Sequence, residues 1–197
     1  MQQRSARRSN RDRTEATRAD LIAAARKLFI EKSYAETGTP EIVAAAGVTR
    51  GALYHHFSDK QALFGAVVEQ EAEAVAREIE GAAPPSLNAR DALIAGSDAY
   101  LAAMRAPGRT RLLLLDGPAV LGRAEMDAID NRHGNRSLRE GLVAAMRART
   151  IKKLPAEATT ALLAAAFDRA ALAIEAGGSA EDYRNVLTAL IDGLSRA

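Results

Sequence analysis

An all-α chain in two domains is what this sequence predicts, and three observations predict it. Alanine is abundant while Pro (6) and Trp (0) are scarce, a balance that favours helices over strands. Apolar residues recur three or four apart along most of the 197 residues, the spacing of one face of a helix. Residues 39–60, TPEIVAAAGVTRGALYHHFSDK, set two short helical runs on either side of a glycine and then start a third helix, which is the plan of a helix-turn-helix. About nine helices are expected. They fall into a helix-turn-helix domain over residues 14–61 and a larger helical domain over 62–197, behind a basic arm over 1–13.

The elements follow in chain order. Arg4, Arg7, Arg8, Arg11 and Arg13 stand among Ser, Gln and Asn without apolar periodicity, so the arm is expected to be disordered. It reads either as a solvated tail or as an arm that reaches phosphates or a minor groove. Residues 14–32 form an amphipathic helix with Leu21, Ala24, Ala25, Leu28 and Phe29 on one face, followed by a loop over 33–38. Thr39 is the expected N-cap of the next helix, with Pro40 at its first position, where a missing N–H is harmless. Ile42, Val43, Ala45 and Ala46 make it apolar, and Gly47 closes it in the left-handed conformation. Val48 packs into the angle and Thr49 caps the helix over 50–56.

On that helix Leu53 and Phe57 lie four apart and face inward, which leaves Arg50, Gly51, Tyr54 and His55 outward. A glycine inside a helix costs about 1 kcal/mol against alanine, and it makes sense where another backbone must come close. His56 either joins the outward set or sits half-buried as a brace. Ser58 begins the third helix, with Gln61 as its capping-box partner. The free N–H groups there, beside Lys60, suit a phosphate.

Charge supports a nucleic-acid partner. The net charge is only +2, yet residues 1–60 hold eleven Lys/Arg against seven Asp/Glu, so the basic excess lies with the helix-turn-helix. Arg50 is the expected base contact, since a guanidinium pairs bidentately with guanine. Tyr54 and His55 would touch phosphate or base edges, Thr39 and Thr49 would donate to phosphates, and Lys60 would hold the backbone.

The order AGVTRGALYHHFSDKQALF, with Phe29, Gly47, Val48, Leu53, Tyr54, His56, Phe57, Lys60, Leu63 and Phe64 in place, resembles the TetR family of transcriptional regulators over residues 15–65. Beyond them only the helical character and the length match. The resemblance implies a homodimeric repressor on a palindromic operator of double-stranded DNA. It also implies a small molecule that binds in the second domain and changes the separation of the two reading heads.

The second domain reads coarsely. A helix over 58–80 carries Leu63, Phe64, Val67, Val68, Val75 and Ile79, and is the expected link between DNA and the second domain. A break over 81–86 precedes a helix over 87–105 with Leu93, Ile94, Tyr100, Leu101 and Met104 inward. Residues 109–116 contain LLLL and read as a buried helix. Gly117 and Pro118 interrupt, and helices follow over 119–131 and 133–150. The final pair covers 155–176 and, after Gly177 and Gly178, a helix capped by Ser179.

Polar groups among these apolar helices make Tyr100, Asp116, His133 and Asp168 candidate effector contacts, with Met104 and Phe167 as lining. Each has a plainer role open to it in core, turn or ion pair. In the resembling family the last two helices pair across a two-fold axis. Leu163, Phe167, Ala170, Ile174, Leu187, Leu190, Ile191 and Leu194 are the expected interface, unless that stripe packs into its own domain.

Several classes are excluded. No cysteine is present, so there is no disulfide or catalytic thiol, as expected of a cytoplasmic protein. Three histidines lack metal spacing, and no nucleophile elbow, phosphate loop or dinucleotide fingerprint occurs. No enzyme, cofactor or metal is therefore expected. No apolar run nears the roughly 18 residues of a membrane span, and the N-terminus is too polar for a secretion signal. The alternative is a helical dimer that binds DNA non-selectively or answers to a partner protein.

Overall fold

Helix-favouring composition and apolar periodicity produce helices in both parts of the chain. The computed structural model describes residues 10–82, 84 and 86–195, and among these there are ten α-helices, one π-helix and no strand. They divide into two units, one ending at Val68 and one starting at Glu69.

The first unit holds α1 (Asn10–Lys32), α2 (Thr39–Ala45), α3 (Arg50–His56) and the beginning of α4 (Lys60–Ala82). Helix α1 starts four residues ahead of the expected position and takes in Arg11 and Arg13. Arg11 pairs with Glu15 one turn on, at 3.0 Å. Arg4, Arg7 and Arg8 lie outside the described residues. The core is aromatic. Phe29, Tyr34 and Phe64 meet with ring centroids 5.0–5.7 Å apart, and Leu21, Ile42, Leu53 and Leu63 are buried.

Two helix starts differ from expectation. The N-cap of α2 is Gly38, so Thr39 is already helical and makes no cap. At α4 the capping oxygen belongs to Asp59, whose Oδ1 accepts from the Ala62 N–H at 2.7 Å, while Ser58 donates to Asp59. A carboxylate there also suits the positive end of the helix dipole. Thr49 caps α3 as expected, accepting from the Ala52 N–H at 3.2 Å. Gly47 turns the chain at φ +66°, where a side chain would be strained.

The second unit contains the rest of α4, then α5 (Ala89–Met104), the π-helix π1 (Arg111–Asp116), α6 (Gly117–Leu121), α7 (Arg123–Arg132), α8 (Gly134–Arg147), α9 (Ala156–Glu175) and α10 (Ala180–Gly193). Gly117 and Pro118 do not break the chain. The helix continues through them and turns at Gly122. Gly117 answers a close approach instead, since a Cβ there would lie 2.9 Å from both the Leu112 carbonyl and Met126 Sδ. The LLLL run is only partly buried: Leu112 and Leu113 are inside, whereas Leu115 is 52% exposed.

Arg109 is a buried tie that sequence reading did not single out. It donates to Glu71 at 2.9 Å, to Glu78 at 3.0 Å and to the Ala103 carbonyl at 2.7 Å. A buried charge stays only where it is paired in this way. Glu71 sits between Val68 and Val75 on the apolar stripe of α4, and that placement was its signal. Arg90 clamps Asp192 with two bonds, 2.6 and 2.9 Å, joining α5 to α10. Among the described residues, no helix is long and apolar enough to cross a membrane.

Candidate nucleic-acid interface and buried cavity

Two sites emerge, one in each unit. In the first, α3 is held from within by Leu53 and Phe57, both buried, and at its start by Thr49. The other side of α3 is free. Arg50, Gly51, Tyr54 and His55 are exposed, with Tyr54 at 43%. Thr39, Arg50 and Tyr54 come together. A hydrogen bond with Thr39, and then the Arg50 guanidinium beside it, draw the Tyr54 phenol below its ordinary range. The guanidinium carbon stands 5.5 Å from the centre of the Tyr54 ring.

His56 turns out half-buried. Burial, reinforced by His55 and Arg18, lowers its pKa and favours the neutral ring. Arg18 itself stacks over Phe57 at 5.2 Å. Gly51 has open space around it: an added Cβ would meet nothing nearer than Thr49 Oγ1 at 3.8 Å. The chain's own packing gives no reason for glycine there.

Lys60 is the main departure from expectation at this surface. Its ammonium donates to the Tyr34 carbonyl at 2.9 Å and the Thr37 carbonyl at 3.0 Å, and lies 4.1 Å from the Tyr34 ring centre. Two of its three protons thus close the loop between α1 and α2, leaving one for a phosphate. Sequence spacing could not show this, because the partners lie 26 and 23 residues away.

The second site is a cavity of about 590 Å³ within the second unit. Helices α4, α5, α8 and α9 supply apolar walls, among them Val75, Leu93, Leu138 and Phe167, and π1 adds Leu113 and Leu114. Of the expected effector contacts, Tyr100, Phe167 and Asp168 line it. The Tyr100 hydroxyl donates to Asp168 Oδ1 at 2.6 Å, and its ring lies 6.0 Å from that of Phe167. Burial, then the Asp168 charge, pushes the Tyr100 phenol well up.

The other three expected contacts lie elsewhere. Met104 is buried in the core, Asp116 faces Arg111 at 3.2 Å, and His133 Nε2 is bound to Glu69 at 2.5 Å. Asp130 was missed. It lines the cavity from α7, where it follows buried Met126 by one turn and adjoins buried Ile129. A carboxylate on that apolar face was the available signal. Burial, reinforced by Asp168 and Asp127, raises its pKa to about 6.

The expected interface stripe is mostly internal. Leu163, Phe167, Ala170, Leu187 and Ile191 are buried in the subunit, and Ile174 and Leu194 are half-buried. Only Leu190 of these is exposed, together with two further apolar residues of the same pair of helices, Leu162 at 74% and Val186 at 58%.

Comparison with known proteins accords with this architecture. The family model described as bacterial regulatory proteins, tetR family, matches residues 21–67, and the one described as tetracyclin repressor-like, C-terminal domain, matches residues 90–196. This chain belongs to the TetR family of transcriptional regulators. A solved TetR-family regulator from Pectobacterium atrosepticum is 31% identical, with a TM-score of 0.76 over 96% of this chain and 99% of that one. The regulator AcrR of Shigella flexneri is 40% identical over 62 residues, 32% of this chain and 29% of that protein. The repressor Rv1474c of Mycobacterium tuberculosis is 37% identical over 65 residues, 33% of this chain and 35% of that one. The match thus spans only about a third of those two regulators. The family and these relatives are DNA-binding transcriptional regulators, not enzymes.

Proposed function

We propose that this chain is a homodimeric repressor in the cytoplasm that binds a palindromic operator and is released when a small molecule fills the cavity of its second unit. The observation that carries the DNA reading is the free face of α3: Arg50, Gly51, Tyr54 and His55 point to solvent from a helix that is otherwise capped and buried. Arg50 reads a base, Tyr54 and His55 contact base edges or phosphate, and Thr39 and Thr49 donate to the backbone. Lys60 adds its one remaining proton to a phosphate.

A single short helix reads few base pairs, and a two-fold pair doubles the contact. Leu162, Val186 and Leu190 supply an apolar face for the second copy, since large exposed aliphatics on the last two helices are otherwise hard to account for. The effector reading rests on the cavity, whose size falls within the roughly 300–1,000 Å³ common for ligand sites. A π-helix in its wall adds support, because such turns recur at functional sites. Helix α4 lines this cavity and begins in the first unit, so a ligand that prefers one setting of α4 can shift the DNA equilibrium.

The test is selection of bound sequences from a random duplex pool. An enriched inverted repeat is expected. Affinity that follows salt but not sequence would overturn the operator reading in favour of non-selective binding.

A further inference from the structure

The cavity has a sign. Its walls are largely hydrocarbon, and every ionisable side chain among its described lining residues is a carboxyl or a phenol: Glu80, Tyr100, Asp130, Glu140 and Asp168. Among the described residues, no Lys, Arg or His lines it. Glu80 has partners in Arg136 at 3.2 Å and Ser137 at 3.0 Å. Asp168 holds the Tyr100 hydroxyl, a neutral partner. Among the described residues, neither Asp130 nor Asp168 makes an ion pair with a cation.

The positive groups that act on this pair do so as charges, without an ion pair among the described residues. Arg123 lowers both aspartates slightly and His133 lowers Asp130, yet neither lines the cavity, and His133 is taken up by Glu69. Burial outweighs these effects and raises both carboxyls. Asp130, at about 6, is still mostly ionised at neutral pH. Two carboxylates from α7 and α9 therefore share an apolar chamber without a counter-ion from their own chain.

We propose that the cavity takes an organic monocation: a protonated amine, amidinium or quaternary ammonium on an apolar or aromatic body, with its charge set against Asp130 and Asp168. The proposal rests on reading the cavity as the effector site. The charge of such a ligand offsets the repulsion between the two aspartates. Its body lies along Val75, Leu93, Leu138 and Phe167. Tyr100 donates its only proton to Asp168, so its oxygen is left to accept from the ligand, and the Tyr100–Phe167 pair offers ring faces to a cation. An anionic ligand would bring a third negative charge to the same end, and a neutral one would leave the two in place.

The test uses three probes of one shape and different charge: naphthylethylamine, naphthylethanol and naphthylacetate. Their binding to the full chain is measured by calorimetry at neutral pH. The amine is expected to bind tighter than the alcohol by about tenfold or more, one step of roughly 1.4 kcal/mol, and the acetate weakest. Asp130→Asn should erase the amine's advantage and leave the alcohol's affinity unchanged, which also shows the cavity intact. Asp168→Asn should reduce the same advantage.

Equal or better binding of the alcohol or acetate, or an amine preference that survives both substitutions, overturns the cation assignment while leaving the cavity as an effector site. Failure of all three probes to bind overturns the assignment outright. Binding that is indifferent to Ala164→Phe, which fills the chamber, would put the probes elsewhere and overturn both readings.

Discussion

At the scale of single residues, Arg50 and Lys60 are two cations in one helix-turn-helix with different tasks. Arg50 is exposed and meets Tyr54 at its ring and phenol, so Arg50→Ala is expected to cost about 1–3 kcal/mol of operator affinity at one base pair while stability stays within about 0.5 kcal/mol. Lys60 holds two carbonyls and a ring, so Lys60→Met is expected to lower the unfolding free energy of the protein by about 1–3 kcal/mol in urea titrations. The opposite pattern would reverse the assignments. Asp130 provides a pH test. Its folded value of about 6 lies above its ordinary 3.8, so the folded chain binds more protons than the unfolded one between those values. The stability it contributes is present below pH 4 and lost as pH rises to about 6, at most about 3 kcal/mol. Asp130→Asn is therefore expected to raise the melting temperature at pH 7.5 and to leave it unchanged at pH 4. An equal shift at both values would mean that the charge is not the cause. Asp168 and Asp127 act on the same group and add to the shift, while His133 and Arg123 temper it.

At the scale of elements, α3 has only seven residues and depends on its cap and its buried pair. Thr49→Ala is expected to lose about 1 kcal/mol of stability, since the Ala52 N–H would go unpaired. Gly51→Ala should do the reverse. Its Cβ meets open space, so the helix gains about 1 kcal/mol from propensity. Operator affinity is expected to fall, because on the proposed reading the added methyl group meets the DNA. A variant that melts higher and binds DNA as tightly as before would show that Gly51 has no part in recognition. The elements also show what pattern reading can do. Leu53 and Phe57, four apart, were placed inward and are buried. The starts of α2 and α4 were each misplaced, because Gly38, Thr39, Ser58 and Asp59 are all acceptable caps and only backbone geometry chooses among them.

For the whole molecule, the issue is whether the last two helices serve the subunit or a partner. Their regular stripe serves the subunit: Leu163, Phe167, Leu187 and Ile191 are core. The residues left over, Leu162, Val186 and Leu190, are the ones we propose for a second copy. The double variant Leu162→Glu with Leu190→Glu is expected to sediment as a monomer with an unchanged helical spectrum, and to lose operator affinity by well over tenfold, since two-site binding is lost. A dimer that survives this change would place the interface elsewhere.

The sequence by itself determined the fold class, the helix-turn-helix and the outward set Arg50, Gly51, Tyr54 and His55. The reason is that these follow from spacings of three and four along one helix and from local caps. It also offered six candidate effector contacts, because polar groups on apolar stripes are costly unless something meets them, and of these Tyr100, Phe167 and Asp168 line the cavity. Only the tertiary structure decided that Lys60 closes a loop, that Asp130 joins Asp168 while His133 and Asp116 turn away, and which apolar residues of α9 and α10 remain uncovered. Those outcomes depend on which distant segments arrive at the same place, and a helical repeat specifies a face without naming what packs against it.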